Sequence, residues 1–391
     1  MAKEINTIGV LTSGGDAPGM NAAIRAVVRE ALAKGKKVKG IKRGYAGLLQ
    51  EEIVDMEAKD VSDIIQRGGT ILQTARCMEF KTPEGQQKAA EICRKHGIDG
   101  IIVIGGDGSF RGAQKLAALG INTIGLPGTI DLDIACTEYT IGFDTAVNTA
   151  MEAIDKVRDT STSHERCSVI EVMGRNAGWL TAASALARIE GRKVPQLIYL
   201  CEKAFDEDRF IEDVNEALKK ENNIIIAVSE GVKTADGNYV GEETKSGKED
   251  VFGHKYLSGV GKYLEGLVGE KIGCKVRSVE LNILQRCAGY MLSETDIMES
   301  RNLGAFAAVS AIRGKSGKMS AVRRISDDPY QVEIVLSDLS KIANYEKKVP
   351  MEWINEEGND IKDELLTYLK PLIQGEVQIP YENGIPKRFI L

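Results

Sequence analysis

The sequence predicts an α/β fold with two lobes, each built on a mainly parallel sheet with crossover helices. Short apolar runs alternate with amphipathic helical stretches along most of the chain, which is the pattern of strand-helix-strand units. Glycine-containing loops follow several of the apolar runs, and the alternation begins again in the second half. A chain of 391 residues has room for two such domains.

The first predicted strand covers residues 5–12 and ends in the loop SGGDAPG. Apolar residues then recur at helical spacing, which predicts a helix that begins just after Gly19. The next predicted elements are a strand at 101–105, the loop GDGS, a helix at 110–119, a strand at 121–126 and the loop PGTIDLD.

A second series of elements begins near residue 143, where apolar residues on one helical face precede the strand CSVIEVMG. The polar, glycine-bearing segment 233–250 predicts an exposed hairpin or loop. The other predicted elements are strands at 196–200, 223–230 and 277–281 and a helix at 208–220.

The composition excludes several classes of protein. The formal charge is −6, with 51 basic and 57 acidic residues, which does not indicate a nucleic-acid-binding protein. Seven dispersed cysteines without a CxxC pair argue against a disulfide scaffold or a thiolate metal site. Three histidines, none spaced four residues apart, make a histidine-ligated zinc or a histidine triad a poor fit. We expect a cytoplasmic protein without a membrane segment.

Two loops that follow strands contain Gly-Gly-Asp. Gly14 and Gly15 precede Asp16, and the pair Gly105-Gly106 precedes Asp107. Such loops let backbone N–H groups and a helix N-terminus approach a phosphate, although glycines also simply make tight turns. A dinucleotide site is a weaker match because the spacing is GxGxxxG, and no GxxxxGK[ST] motif is present.

Carboxylates and arginines accompany these loops. Asp107, Asp131 and Asp133 form a set of hard ligands that suits Mg²⁺ bound together with substrate phosphates, which favours phosphoryl transfer. An arginine fork matches phosphate geometry, although a single arginine is more often a solvated surface residue. Five arginines lie at the edges of glycine-containing or strand-ending segments, namely Arg76, Arg166, Arg175, Arg277 and Arg286.

The ordered motifs TSGGDAPGMNAAIR, IGGDGS, PGTID, TIGFDTA, RDTSTSH, EVMGR and the QR of ILQRC closely resemble the phosphofructokinase family, to about residue 315. The resemblance implies two similar Rossmann-like lobes and transfer of the ATP γ-phosphoryl to fructose 6-phosphate in glycolysis. It implies an ATP-binding lobe of residues 1–142 plus about 285–335. The sugar-phosphate lobe would hold residues 143–284 plus about 336–391, the last part being a C-terminal extension.

The resemblance assigns roles residue by residue. Asp131 matches the base that accepts the proton of the sugar 1-hydroxyl, with Thr129 beside the acceptor. Asp107 and Asp133 match the Mg²⁺ carboxylates, and Arg175 matches a residue that neutralises the transferring phosphoryl group, as does Arg76. The nucleotide-binding positions are Gly15, Tyr45, Arg76, Cys77, Gly106, Asp107, Gly108 and Ser109.

The sugar-phosphate positions imply a shared site. Met173, Gly174 and Glu230 match residues that contact the sugar, together with Thr129, Asp131 and Arg175. Arg166, Arg277 and Arg286 match the clamp on the 6-phosphate, the first two being supplied by a neighbouring subunit. The resemblance therefore implies a homodimer or homotetramer with shared active sites.

The resemblance also bears on the phosphoryl donor. Gly108 and Gly128 match the ATP-using pattern, whereas pyrophosphate users generally carry Asp and Lys there. The alternatives to an ATP-dependent kinase are a pyrophosphate-dependent phosphofructokinase and a low-activity homologue that binds sugar phosphate.

The chain departs from the family pattern at three site positions. Leu132 replaces an Asn, Ile283 replaces a His, and Cys287 replaces a Gly. Effector-site lysines are likewise replaced, by Glu221 and Asn222, and we expect Trp353 to pack the C-terminal region against the body.

Overall fold

A computed structural model describes residues 5–188, 192–241, 259–286, 289–342, 345–375, 377–378 and 381–386. Its contacts divide the chain into two compact units, each assembled from separated segments. The first unit comprises Met1–Thr145, Arg286–Tyr345 and Leu372–Leu391. The second comprises Ala146–Gln285 and Glu346–Pro371.

Strands and helices alternate through most of the described chain, as expected for an α/β protein. The strands are β1 (Thr7–Ser13), β2 (Lys37–Ile41), β3 (Ile53–Asp55), β4 (Gly100–Gly105), β5 (Asn122–Pro127), β6 (Cys167–Val172), β7 (Leu197–Tyr199), β8 (Ile224–Ser229), β9 (Val276–Glu280), β10 (Lys318–Asp327), β11 (Tyr330–Asp338), β12 (Tyr381–Glu382) and β13 (Ile385–Pro386). The helices are α1 (Met20–Ala33), α2 (Gly44–Leu49), α3 (Pro83–Lys95), α4 (Asp107–Ala118), α5 (Phe143–His164), α6 (Trp179–Ala183), α7 (Glu207–Leu218), α8 (Val260–Lys271), α9 (Glu294–Ile312) and α10 (Asp363–Leu369).

The first unit is built on a seven-stranded sheet in the order β11-β10-β5-β4-β1-β2-β3. The outer pairs β10–β11 and β2–β3 are antiparallel, and the remaining neighbours are parallel. The central strands β1 and β4 are buried along their whole length, as is usual for parallel strands covered on both faces. Ser13 pairs with Gly105, and Gly105 pairs with Pro127, so the carboxyl ends of three neighbouring strands coincide.

Helix α1 follows the first glycine loop and begins at Met20, where the sequence predicts it. Its apolar residues Ile24, Val27 and Val28 are fully buried. It packs against α9, where a Cβ on Gly304 would lie 2.6 Å from the Ala23 carbonyl oxygen. The close approach of these two helices therefore requires glycine at 304.

The second unit contains a four-stranded, fully parallel sheet in the order β7-β8-β6-β9. Strands β6 and β8 occupy its centre and are completely buried. Helix α7 begins where the Asp206 side chain accepts a hydrogen bond from the Arg209 N–H at 2.9 Å. It buries Phe210 and Val214 in the core that these strands share. The two mainly parallel sheets confirm the predicted fold class.

The C-terminal region contributes to both units, unlike the expected assignment of all residues from about 336 to the second lobe. Residues up to Tyr345 belong to the first unit because β11 pairs with β10 in its sheet. Residues from Leu372 also belong there, because the Leu372 carbonyl accepts a hydrogen bond from the Ser293 hydroxyl at 2.9 Å. Only Glu346–Pro371 belongs to the second unit.

An aromatic cluster anchors the segment Glu346–Pro371 within the second unit. The Trp353 ring meets Trp179 edge-on at 6.2 Å between ring centroids and lies 5.3 Å from Tyr368. The Lys347 ammonium lies 5.3 Å from the centre of the Trp179 ring and hydrogen-bonds the Tyr368 hydroxyl at 2.9 Å. The expected packing of Trp353 is thereby confirmed.

Across the described ranges, no helix combines the length and apolar character needed to cross a membrane.

Candidate active site

The first glycine loop lies at the carboxyl end of β1, and Gly14 adopts a left-handed conformation there with φ +87°. The Thr74 hydroxyl donates to the Gly14 carbonyl at 2.6 Å. The Arg286 guanidinium lies against the same loop, with Nη1 3.5 Å from the Asp16 carbonyl oxygen. A Cβ on Gly15 would stand 2.5 Å from that Nη1 atom, so glycine at 15 makes room for the arginine. The structure thus places Gly15, a predicted nucleotide-binding position, against Arg286, a predicted ligand of the sugar 6-phosphate.

The second glycine loop is shorter than the sequence predicts. Helix α4 begins at Asp107 rather than at Phe110, so Asp107, Gly108 and Ser109 form its first turn. The prediction was wrong because Gly106 already caps the helix: its carbonyl accepts hydrogen bonds from the Ser109 and Phe110 N–H groups at 3.0 and 3.1 Å. Asp107 therefore stands at the positive end of the helix dipole and pairs with Arg111 at 3.1 Å.

The third loop, PGTIDLD, follows β5 and is fixed to the second loop. The Gly128 N–H donates to the Gly105 carbonyl at 3.0 Å. The Thr129 hydroxyl donates to Asp131 Oδ2 at 3.4 Å and accepts from the Asp131 N–H at 3.2 Å. Leu132 is fully buried and left-handed, with φ +54°. The left-handed conformation is unfavourable for a branched side chain, whereas asparagine tolerates it. Leu132, which stands where the family has Asn, therefore carries backbone strain.

Two glycines of these loops differ in the space around them. A Cβ on Gly128 would lie 2.9 Å from Ile104 Cγ2 and 3.0 Å from Met20 Cε, so a side chain there displaces its neighbours. A Cβ on Gly108 would meet Arg111 Nη2 at 4.0 Å as its nearest neighbour outside the helix backbone. A side chain at position 128 would therefore clash with its neighbours, whereas a Cβ at position 108 would meet no close contact.

The other predicted nucleotide positions of the first unit occupy different environments. Tyr45 is buried beneath α4, where its hydroxyl donates to the Ser109 carbonyl at 2.7 Å and its ring stacks on Phe80 at 4.0 Å. Burial raises the pKa of the Tyr45 hydroxyl. Arg76 is exposed, and Cys77 packs partly buried against the apolar core. Tyr45 thus supports the first turn of α4 from inside the unit.

In the second unit, the turns after β6 and β8 are locked together. The Gly174 N–H donates to Glu230 Oε1 at 3.3 Å, and the Ser229 hydroxyl donates to the Gly174 carbonyl at 2.7 Å. Gly174 has φ +138°, and a Cβ on Gly231 would lie 1.9 Å from the Arg175 carbonyl oxygen. Three predicted sugar positions, Met173, Gly174 and Glu230, therefore meet at one edge with Arg175.

Gln285 is a residue of this edge that the sequence analysis missed. Its side chain is fully buried, and Oε1 accepts the Met173 N–H at 2.9 Å. The signal was available, because Gln285 is the first residue of the QR motif. Ile283, in the same short turn, is 67% exposed. Cys287 lies outside the described residues.

Arg166 and Arg277 lie at the opposite edge of the second sheet. Arg166 immediately precedes β6, whereas Met173 follows it, and Arg277 pairs with Ser168 near the start of β6. The six residues of β6 separate Arg166 from Met173, and the seven steps of extended chain between the two correspond to roughly 23 Å. The Arg277 side chain is 70% exposed and lies 3.8 Å from Glu265. One chain therefore does not bring these two arginines to the sugar positions of its own second unit.

The residues present fit a magnesium ion held mainly by substrate. No group of three or more His, Cys, Asp or Glu side chains suited to a metal occurs in the described part of the chain. Mg²⁺ bound to phosphates needs only one or two protein carboxylates, with water completing its shell. Asp107 and Asp133 are half-buried and follow two neighbouring strands, β4 and β5, which suits that mode of binding.

Comparisons with known proteins agree over most of the chain. The sequence model of the family described as Phosphofructokinase matches residues 7–312. An ATP-dependent 6-phosphofructokinase of Clostridium botulinum is 51% identical over 283 residues, covering 71% of this chain and 86% of that protein. The solved structure of a pyrophosphate-dependent phosphofructokinase from Nitrosospira multiformis gives a TM-score of 0.88 at 29% identity, covering 97% of this chain and 95% of that one. One from Marinobacter aquaeolei gives 0.86 at 27% identity, covering 98% and 95%.

Proposed function

The chain belongs to the phosphofructokinase family, and from that premise we propose that it is an ATP-dependent 6-phosphofructokinase of cytoplasmic glycolysis. It transfers the γ-phosphoryl group of ATP to the 1-hydroxyl of fructose 6-phosphate. The observation that carries the proposal is the convergence of three loops at one sheet edge. Two are glycine loops that can receive phosphates, and the third holds Asp131 beside Thr129.

Asp131 is proposed as the general base. It is half-buried, and the Thr129 hydroxyl donates to one of its oxygens, which orients the carboxylate. Asp131 takes the proton of the sugar 1-hydroxyl as that oxygen bonds to the γ-phosphorus. The bond from the γ-phosphorus to the β,γ-bridging oxygen breaks, and ADP leaves with that electron pair.

Charge on the transferring group is offset by arginine side chains and the metal. Arg76 and Arg175 are proposed to neutralise the phosphoryl group. Asp107 and Asp133 would hold Mg²⁺, which when bound neutralises the charge on the nucleotide phosphates. Gly15, Gly106 and Gly108 contribute backbone N–H groups at the loop and at the helix N-terminus, and Ser109 lies beside them in the first turn of α4.

The positions of Arg166 and Arg277 support a homo-oligomer with shared sites. Both lie at the amino edge of the second sheet, about one strand length from Met173 and Glu230 of the same chain. A neighbouring subunit that presented this edge would complete the clamp on the 6-phosphate. Arg286 differs, since it belongs to the first unit and lies on the loop of Gly15.

The two glycines at 108 and 128 support ATP rather than pyrophosphate. A nucleotide needs room beyond its terminal phosphates, and the open surroundings of Gly108 leave that room. At 128, the contacts with Ile104 and Met20 disfavour the lysine found in pyrophosphate users. The solved relatives that use pyrophosphate are 27–29% identical to the chain, against 51% for the ATP-dependent relative.

A coupled assay with fructose 6-phosphate and Mg²⁺ tests the proposal. Nucleotide-free enzyme is supplied with either ATP or pyrophosphate, and we expect turnover with ATP to be well above turnover with pyrophosphate. Equal or faster turnover with pyrophosphate would overturn the donor assignment. Binding of sugar phosphate without turnover on either donor would identify a low-activity, sugar-phosphate-binding homologue instead.

A further inference from the structure

Two cysteines meet at the amino edge of the second sheet. Cys167 is the first residue of β6, and its N–H donates to the carbonyl of Lys275, the residue after Cys274, at 2.8 Å. The Cys167 and Cys274 side chains are free thiols that belong to the same apolar cluster, and each affects the ionisation of the other. Cys167 is fully buried, whereas Cys274 packs against the same core from a half-exposed position. An attacking reagent therefore reaches Cys274 first and finds a second sulfur directly behind it.

The contact also sets which thiol ionises. The Cys167 S–H stabilises the Cys274 thiolate and lowers the pKa of Cys274 to about 7, while the hydrogen bond and burial raise that of Cys167. Cys274 is then thiolate at pH 7 to a much greater extent than a thiol with the ordinary pKa of 9.0. By contrast, burial raises the pKa of Cys93 to about 12. Cys274 combines access with a large thiolate fraction, the two properties of oxidation-sensitive cysteines.

We propose that Cys167 and Cys274 form a peroxide-sensitive pair that closes to a disulfide. The Cys274 thiolate attacks one oxygen of a peroxide, the O–O bond breaks, and Cys274 becomes a sulfenic acid while hydroxide leaves. The Cys167 thiol then attacks the Cys274 sulfur, an S–S bond forms, and the hydroxyl group departs as water with the thiol proton. The two sulfurs lose two electrons in total, and the peroxide gains them.

The location gives this step a consequence for substrate binding. Arg166 directly precedes Cys167, and Arg277 lies three residues after Cys274. The disulfide would therefore join the two backbone segments that carry the proposed arginines of the 6-phosphate clamp. We expect oxidation to raise KM for fructose 6-phosphate with less effect on kcat. This consequence depends on the proposed function, whereas the thiol chemistry does not.

Peptide mapping tests the chemistry without any activity measurement. The full-length, reduced protein is treated with one equivalent of hydrogen peroxide at pH 7, alkylated and digested. We expect a cross-linked peptide pair containing Cys167 and Cys274 that dithiothreitol separates. Cys136→Ser, a change at an exposed cysteine elsewhere, should leave the cross-link intact. In Cys167→Ala, dimedone should instead label a sulfenic acid on Cys274. Peroxide that oxidised other cysteines and left Cys274 fully alkylatable would overturn the proposal.

The pH dependence of Cys274 alkylation shows whether Cys167 acts on Cys274 or whether Cys274 is simply an exposed thiol. Iodoacetamide should modify Cys274 with a midpoint near pH 7, because Cys167 lowers its pKa to about 7. Cys167→Ala removes the donor and should raise that midpoint, whereas Cys167→Ser keeps a hydroxyl donor and should not. An unchanged midpoint in Cys167→Ala would overturn the pairing. If the cross-link forms and KM does not change, only the link to the phosphate clamp is refuted.

Discussion

Glu299 makes the stability of the first unit depend on pH. This carboxyl lies on α9, is almost fully buried, and accepts the Tyr330 hydroxyl at 2.6 Å. Burial raises the pKa of Glu299 from 4.5 to about 7; the Tyr330 hydrogen bond and nearby Arg324 oppose this rise, and Asp296 adds to it. Asp144 and Asp296, buried in the same region, also have raised pKa values because of burial.

The size and sign of the effect follow from the pKa of Glu299. Between pH 4.5 and about 7 the folded protein keeps a proton that the unfolded chain has released. The free energy of unfolding therefore falls as the pH rises, by about 1.4 kcal/mol per pH unit for one proton. The contribution is complete below pH 4.5, is lost as the pH passes about 7, and amounts to roughly 3 kcal/mol.

Glu299→Gln removes the ionisation and keeps an oxygen that can accept from Tyr330. We expect the variant to equal the parent protein near pH 4 and to exceed its stability at pH 8 by up to roughly 3 kcal/mol. Denaturant unfolding at several pH values between 4 and 8 measures this. Glu294→Gln, at an exposed position of the same helix, serves as the control. We expect Glu294→Gln to keep the pH dependence of the parent protein. If Glu299→Gln kept it as well, Glu299 would not be protonated in the folded state.

The remaining predictions concern the proposed reaction. Asp131→Asn should lower kcat by about 10²–10⁴-fold while fructose 6-phosphate still binds, because a general base contributes that much; an effect on KM alone would contradict the assigned role. Leu132→Asn should raise kcat or Mg²⁺ affinity, since asparagine accepts the left-handed backbone at φ +54° and offers the neighbouring aspartates a hydrogen bond; unchanged kinetics would show that the loop is ordered by other contacts. Gly108→Asp should fold normally, having Arg111 at 4.0 Å as its nearest neighbour, and should lose ATP-dependent turnover through repulsion of the nucleotide phosphates. Gly108→Ala is the uncharged control, and retention of ATP use by the aspartate variant would refute the donor argument.

The sequence predicted the central strands of both sheets well because buried parallel strands are continuous apolar runs. The predicted strands at 101–105 and 223–230 correspond to β4 and β8. The start of α4 was misplaced because Asp107, Gly108 and Ser109 have weak intrinsic helix preference, and capping by Gly106 outweighs it. The segment predicted as an exposed hairpin at 233–250 is described only to residue 241, where Lys233 and Tyr239 form an isolated antiparallel bridge.

Residue contacts within the site were less predictable than residue identities. Motifs place Arg166 and Met173 in one list of sugar-phosphate positions, yet the direction of β6 puts them at opposite sheet edges. No local pattern shows that Gln285 holds the Met173 backbone, because the two residues are far apart in sequence and meet only after the sheet forms. The bond between Gly128 and Gly105 depends likewise on the register of β4 with β5.

The order of strands in the first sheet has a consequence for synthesis on the ribosome. Strand β5 lies between β4 and β10, and β10 pairs with it only through Lys318 and Met319. Residues 128–317 must be made before that partner exists, which takes roughly 10 to 40 s at usual translation rates. During this interval the outer edge of β5 has its backbone groups available to other nascent chains. The C-terminal strands thus close an edge that would otherwise promote aggregation, and a chain that stopped at residue 312 would leave it open permanently.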